Sequence, residues 1–365
     1  MAKEDGMDPQ LNPILLERTA PVRPGVFRIP FTRRVSPDVD RAATHHAAWL
    51  LEHGMVRSPR AIEGIASWDI ALVCGVVLPH LRGADLRLCT DWMGWAIIFD
   101  DLFDGAVGSN PRTAAEVIEN LADIVHGDPE NPPHVNHPAE SALVDLIRRT
   151  GQRMSAMWCN RMFNNTLDWL TAMSNEATQR RVRRVWTFDE YMIQRRNNVW
   201  ARGALDLVEI GTGYELPDVI HNSWEFDSLR TRTVDGCAWM NDIYSLPKDI
   251  TRNDPSNAVL VLEQERSMPR ADATRHVVDL TYGALAEYRK IKASLPALFG
   301  HLGLSAAERE GCLRWMAAVD QLWIGANDFH LYHPRYRPET MTKPVKDDFL
   351  DDLHLAPEQA RRHTL

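Results

Sequence analysis

Residues 92–104, WMGWAIIFDDLFD, join an apolar helical run to three carboxylates, Asp100, Asp101 and Asp104. At 3.6 residues per turn Asp100 and Asp104 share one face, with Asp101 beside them. Backwards, that face continues through Ile97 and Met93, so the carboxylates top an apolar stripe. Three acids this close repel one another unless a cation sits among them. Oxygen-only ligands suit a hard ion such as Mg²⁺, which keeps some waters and shares its shell with phosphates. The stretch therefore predicts a pocket with an apolar floor and a metal-bearing mouth. Leu88, Trp92, Trp95, Phe99 and Leu102 follow helical spacing on a different face, as expected of a helix buried on most sides.

Outward from this stretch, helical periodicity persists and no period-2 alternation is long enough for a sheet, which predicts an all-α single domain. Ser36-Pro37-Asp38 predicts a helix start, with a capping Ser and Pro at the first helical position, and that helix ends at Gly54. A second helical region covers residues 58–78, and the aspartate helix begins near Ala84. Asn110-Pro111 opens a helix that runs to residue 125, followed by a Pro- and Asn-rich loop. Further helices are expected over 139–173, 187–209 with an interruption near Gly203, 224–250, 258–265, 270–293 and 306–330. Residues 1–35, rich in Pro and Arg, read as an extended arm that partly orders over the body. Residues 36–336 form the predicted domain, and 337–365 a polar tail.

With 365 residues, 44% of them apolar, and twelve Trp, the chain can fill a large core. A net charge of −9 argues against nucleic acid as a partner. The five cysteines are scattered without CxxC spacing, as in the reduced core of a cytoplasmic protein. No apolar run approaches the roughly 20 residues needed for a membrane span, and the N-terminus has no signal-peptide pattern.

A second informative stretch is NDIYSLPKD, residues 241–249. Asn241, Ser245 and Asp249 recur at i, i+4 and i+8 and line one helical face, where their oxygens can converge on one cation. A solvated polar face is the alternative, since these are ordinary surface residues. Residues 347–351 repeat the DDxxD string without an apolar run before it, and read as a solvated acidic tail. Arg195 and Arg196 lie mid-helix. Surface ion pairing is one reading, and bidentate recognition of phosphate oxygens is the other. Arg335-Tyr336 follows the last helix, just past Phe329 and His330.

Together these elements resemble the bacterial class I terpene synthases. Asp100-Asp101-Leu102-Phe103-Asp104 matches their DDxxD-type motif, and Asn241, Ser245, Lys248 and Asp249 match their NDxxSxxKE-type motif. The family's diphosphate-sensing Arg stands 46 residues before the motif Asn, and 241 − 46 = 195 is Arg195. Arg335-Tyr336 matches the C-terminal Arg-Tyr pair, and no DxDD string suggests the class II type. The resemblance implies an all-α fold, a prenyl diphosphate substrate, three Mg²⁺ ions and a monomer or homodimer. Asp100 would be the main metal ligand, with Asp101 and Asp104 as weaker partners and Asn241, Ser245 and Asp249 on another ion. Arg195, Lys248, Arg335 and Tyr336 would bind the diphosphate. Asn198 would be a linker, and Val199 would turn a helix-break carbonyl toward the cation. Met93, Ala96, Ile97, Phe329 and His330 would wall the cavity.

Two departures stand out. Asp249 replaces the usual Glu, one methylene shorter, and Ala96 and Ile97 stand where relatives often carry aromatics, leaving Phe329 as the expected cation-stabilising ring. The expected activity is cyclisation of farnesyl diphosphate to a sesquiterpene, with geranylgeranyl or geranyl diphosphate as alternatives. A chain-elongating prenyltransferase and a silent prenyl-diphosphate binder are the remaining rivals.

Overall fold

The computed structural model describes residues 27–336, other than 57–58, 104–105, 129–130, 133–134, 136, 183 and 185. Among the described residues, regular structure is helical, and the only β pairing is an isolated bridge between Asp128 and Asn131. None of these helices is long and apolar enough to cross a membrane.

The aspartate stretch lies on α4 (Gly83–Phe103), which follows α1 (Val39–Glu52), α2 (Pro59–Ala66) and α3 (Ile70–Val77). Its packing face is aromatic: Trp95 stacks on Phe99 at 5.2 Å, and both meet Trp169 edge-on. Next come α5 (Ala106–Ser109), α6 (Pro111–His126), α7 (Pro138–Gly151) and α8 (Ala156–Val182). Asn110 caps α6 as expected, its side chain accepting from the Arg112 and Thr113 amides. α9 (Phe188–Asn198), α10 (Ala201–Thr212) and α11 (Asp218–His221) lead into α12 (Trp224–Arg252), the helix of the second motif. α13 (Ala258–Arg266), α14 (Arg270–His301) and α15 (Ala306–Tyr332) complete the bundle, ending in a 3₁₀ turn, Pro334–Tyr336.

α12 packs along α14 and α15, and α15 also packs on α3. Two glycines permit the close crossings. A Cβ on Gly236 would stand 2.1 Å from the Trp323 ring, and one on Gly325 would stand 2.3 Å from Val77.

Several boundaries differ from the sequence expectation. Ser36 does not cap α1. Its buried hydroxyl donates to the Leu81 carbonyl and accepts from the Asp38 amide, tying the chain entry to the loop before α4. The region expected as one helix forms two, Pro59–Ala66 and Ile70–Val77, separated where Asp69 turns left-handed at φ 52°, a conformation that short polar side chains tolerate. Residues 139–173 are also split. Ser155 starts α8, its hydroxyl accepting from the Trp158 amide while Glu215 holds its amide and hydroxyl. α14 continues through Pro296 to His301, beyond the predicted end at residue 293.

The described part of the arm, residues 27–35, has no regular structure yet packs closely. Phe27 is buried between Tyr244 and Tyr282. Arg33 pairs with Asp328 at 2.7 Å, and the Gln321 amide bonds the Thr32 carbonyl and the Arg34 amide. The rest of the arm and the tail after residue 336 lie outside the described residues. All five cysteines are buried and unbridged.

Candidate active site

The helices enclose a cavity of about 200 Å³ between α4 on one side and α12 on the other, closed by α8, α9, α10 and α15. Met93, Ala96, Ile97 and Asp100 all line it, so the stripe expected on the aspartate helix faces inward. Opposite stand Cys237, Asn241, Ser245, Lys248 and Asp249, the matching stripe of α12. Asp101 is buried beside Asp100. Asp104, the Arg335 side chain and the second DDxxD string at 347–351 lie outside the described residues.

Asn241 is held on three sides. Its carbonyl oxygen accepts from Arg195 Nη2 at 2.7 Å, and its amide nitrogen lies 2.8 Å from His330 Nε2 and 3.0 Å from the Tyr336 hydroxyl. His330 Nδ1 sits 2.6 Å from the Ala326 carbonyl, so Nδ1 carries the proton and Nε2 accepts from Asn241. Burial pushes the His330 pKa down to about 3, which keeps the ring neutral.

Arg195 anchors the rest of the network. Nη1 donates to Asn198 at 2.8 Å, and Nε donates to Asp242 at 3.1 Å. Burial opposes the guanidinium charge, but the Asp242 carboxylate and neighbouring acids outweigh it and hold Arg195 protonated. Asp242 is fully buried and also accepts from the Tyr191 hydroxyl at 2.6 Å and the Ala258 amide at 3.1 Å. Arg196 points elsewhere, to Asp235 at 2.6 Å, so for this residue the ion-pair reading holds, although the carboxylate is buried and not on the surface as expected.

At the third position of the α12 stripe, one Asp249 oxygen accepts from the Ser245 hydroxyl at 2.5 Å and from Asn257 at 2.9 Å. Lys248 Nζ lies 3.7 Å from the other oxygen. Burial pushes the Asp249 carboxyl up to about 6. A cation beside it would relieve that cost, and the oxygens on the two facing walls are the hard donors that Mg²⁺ takes. No group of three His, Cys, Asp or Glu gathers as a metal site among the described residues. The α12 row offers instead one amide, one hydroxyl and one carboxylate, with Asp100 on the facing wall of the cavity. This chemistry fits a hard divalent ion.

Between α9 and α10 the helix breaks at Val199 and Trp200, three residues before Gly203. Trp200 is left-handed at φ 54°, costly for a bulky residue. Gly203 matters differently from the expectation: a Cβ there would stand 2.6 Å from the Trp200 indole. Asn198 and Val199 both line the cavity. Asn198 donates to Glu176 at 2.8 Å, and its carbonyl accepts from Trp169 at 3.2 Å.

Phe329 and His330 line the cavity as expected, and so do Trp169 and Trp200, which sequence reasoning missed. Trp169 lies 26 residues before Arg195, in a stretch with no polar motif to single it out. Asn257 and Asp242 were also missed. Asp242 stands next to Asn241 in the motif, and its place among apolar residues was the available signal.

The sequence profile of terpene synthase family 2, C-terminal metal binding, matches residues 91–287. That span covers both aspartate-bearing walls of the cavity and Arg195. The chain belongs to the terpene synthase family. This terpene synthase is 29% identical to pentalenene synthase from Streptomyces exfoliatus, over 90% of its own length and 97% of the relative's. It is 27% identical to a (-)-beta-caryophyllene synthase from Saccharothrix espanaensis described as (2E,6E)-farnesyl diphosphate cyclizing, over 92% and 95% of the two chains. Among solved structures, a single-residue variant of cucumene synthase superposes with a TM-score of 0.76 at 30% identity, covering 85% of this chain and 100% of that one. The fold is thus the all-α bundle of class I terpene synthases, and the matched region is the family's metal-binding region.

Proposed function

We propose that this terpene synthase uses Mg²⁺ to ionise farnesyl diphosphate and cyclises the cation to a sesquiterpene hydrocarbon or alcohol. The observation that carries the reading is the facing of Asp100 and the Asn241-Ser245-Asp249 row across one cavity that also has apolar walls. Asp100 would hold metal from one wall, with Asp101 and Asp104 as the weaker partners that the motif implies. Asn241, Ser245 and Asp249 would hold it from the other. The ions, three in number with substrate, would neutralise charge on the leaving diphosphate. Arg195, Lys248, Arg335 and Tyr336 would donate to the diphosphate oxygens, where preorganised donors stabilise the charge that develops as the C–O bond breaks.

Beneath the mouth, Met93, Ala96, Ile97 and the rings of Trp169, Trp200 and Phe329 exclude water, and their faces stabilise the cation. Neutral His330 adds a ring without adding a positive charge that would repel the cation. The choice of C15 rests on relatives such as the caryophyllene synthase, whose description specifies farnesyl diphosphate. We assign residues 36–336 to the cyclase domain, working in the cytoplasm as a monomer or homodimer.

Incubation with geranyl, farnesyl and geranylgeranyl diphosphates plus Mg²⁺, followed by gas chromatography and mass spectrometry of a hexane extract, tests this. A cyclic C15 product from farnesyl diphosphate is expected. A longer diphosphate, or unchanged substrate in all three incubations, overturns it.

A further inference from the structure

We propose that Arg180, which lies off the cavity, is a positioning residue that yokes the two metal-binding walls together. The inference rests on the metal reading above. Arg180 sits near the end of α8, and its fork reaches both walls at once. Nη2 donates to the Phe103 carbonyl at 3.2 Å, at the last residue of α4 and three past Asp100. Nη1 pairs with Asp254 at 3.2 Å, just beyond α12, and the Asp254 amide in turn donates to the Asp249 carbonyl at 2.9 Å. A planar guanidinium can serve two acceptors in fixed directions, whereas an ammonium is a point charge.

The surroundings are shaped for this reach. A Cβ on Gly108 would stand 2.9 Å from Arg180 Nη2 and closer still to the Phe103 carbonyl, so the approach requires a bare backbone. Nη1 also lies 4.0 Å from one oxygen of Glu176, whose other oxygen accepts from Asn198. Asn198 accepts from Arg195, and Arg195 holds Asn241. A continuous polar chain thus runs from the end of α4 to the first ligand position of α12. It fixes the distance across which Asp100 and the α12 row must share ions, which is the precision that a two-walled site needs from its supporting residues.

The test uses Mn²⁺ in place of Mg²⁺ and inorganic diphosphate as the probe, read by calorimetry and by the Mn²⁺ paramagnetic resonance signal. Arg180→Met and Asp254→Asn should each weaken diphosphate-dependent Mn²⁺ uptake by about tenfold or more. The double variant should lose little beyond either single one, because both break the same link. Arg180→Lys should fall between parent and Arg180→Met. A merely structural strut would lower the melting temperature and leave Mn²⁺ affinity unchanged, and that result overturns the proposal. So do losses that multiply in the double variant. Asp254→Asn, at a part-exposed position, carries the test if Arg180→Met does not fold. If the parent protein takes up no Mn²⁺ with diphosphate, the metal reading falls and the yoke with it. If the parent takes it up and the variants match it, only the yoke falls.

Discussion

Arg195→Met separates two jobs that one guanidinium performs. The side chain lies 3.1 and 2.9 Å from Asp242 through Nε and Nη2, and donates to Asn241 and Asn198. Asp242 is fully buried, so removing Arg195 leaves a carboxylate with a hydroxyl and an amide but no counter-charge. Breaking a buried pair in this way costs about 3–5 kcal/mol. In a chain of this size that corresponds to a fall in melting temperature of roughly 4–8 °C. Adding Asp242→Asn removes the stranded charge and should recover most of the loss, leaving a deficit of about 1 kcal/mol from weaker hydrogen bonds. Turnover of farnesyl diphosphate should stay abolished in both variants, because no fork faces the diphosphate. Thermal melts and product formation, measured on the single and double variants, give the answer. The reasoning is refuted if Arg195→Met melts with the parent, if the double variant stays as unstable as the single, or if it regains turnover.

Asp100→Ala should abolish turnover while the melting temperature stays near the parent's, and Asp347→Ala should leave both unchanged; equal losses would mean that the aspartates at the end of α4 are not the working copy. Gly203→Ala places a methyl 2.6 Å from the Trp200 indole, so overpacking should cost about 1–3 kcal/mol and alter the product profile, whereas an unchanged profile and melt would detach Trp200 from cavity shape. Burial raises Asp206 from 3.8 to about 7, so the folded state binds the extra proton and stability should fall as pH rises from about 4 through about 7. Melts across that range should show a smaller fall in Asp206→Asn, and an identical slope would refute the assignment.

The helical class and both motif faces were legible because they depend on local spacing. The i, i+4, i+8 row of Asn241, Ser245 and Asp249 needs only helical pitch to share a face, and it lines the cavity. Four things were hidden. The helix break at Asp69 comes from a left-handed residue that carries no Gly or Pro signature, whereas the break at Val199 and Trp200 was expected near Gly203. Ser36 resembles a cap, but Leu81, 45 positions away, claims its hydroxyl. The aromatic wall was only half visible: Phe329 neighbours a motif, whereas Trp169 reaches the cavity through the crossing of α8 over α9, a tertiary event. Asn257 was hidden for the same reason, since its 2.9 Å bond to Asp249 is made by a turn returning after α12.

The irregular segment at residues 27–35 is unlike an ordinary loose end. Its clasp on Gln321 and Asp328 grips α15 at the residue immediately before Phe329 and His330. Anyone trimming the chain to its helices for crystallisation or engineering would therefore unfasten the back of the reaction chamber. The penalty would surface as a blurred product spectrum before it surfaced as poor expression.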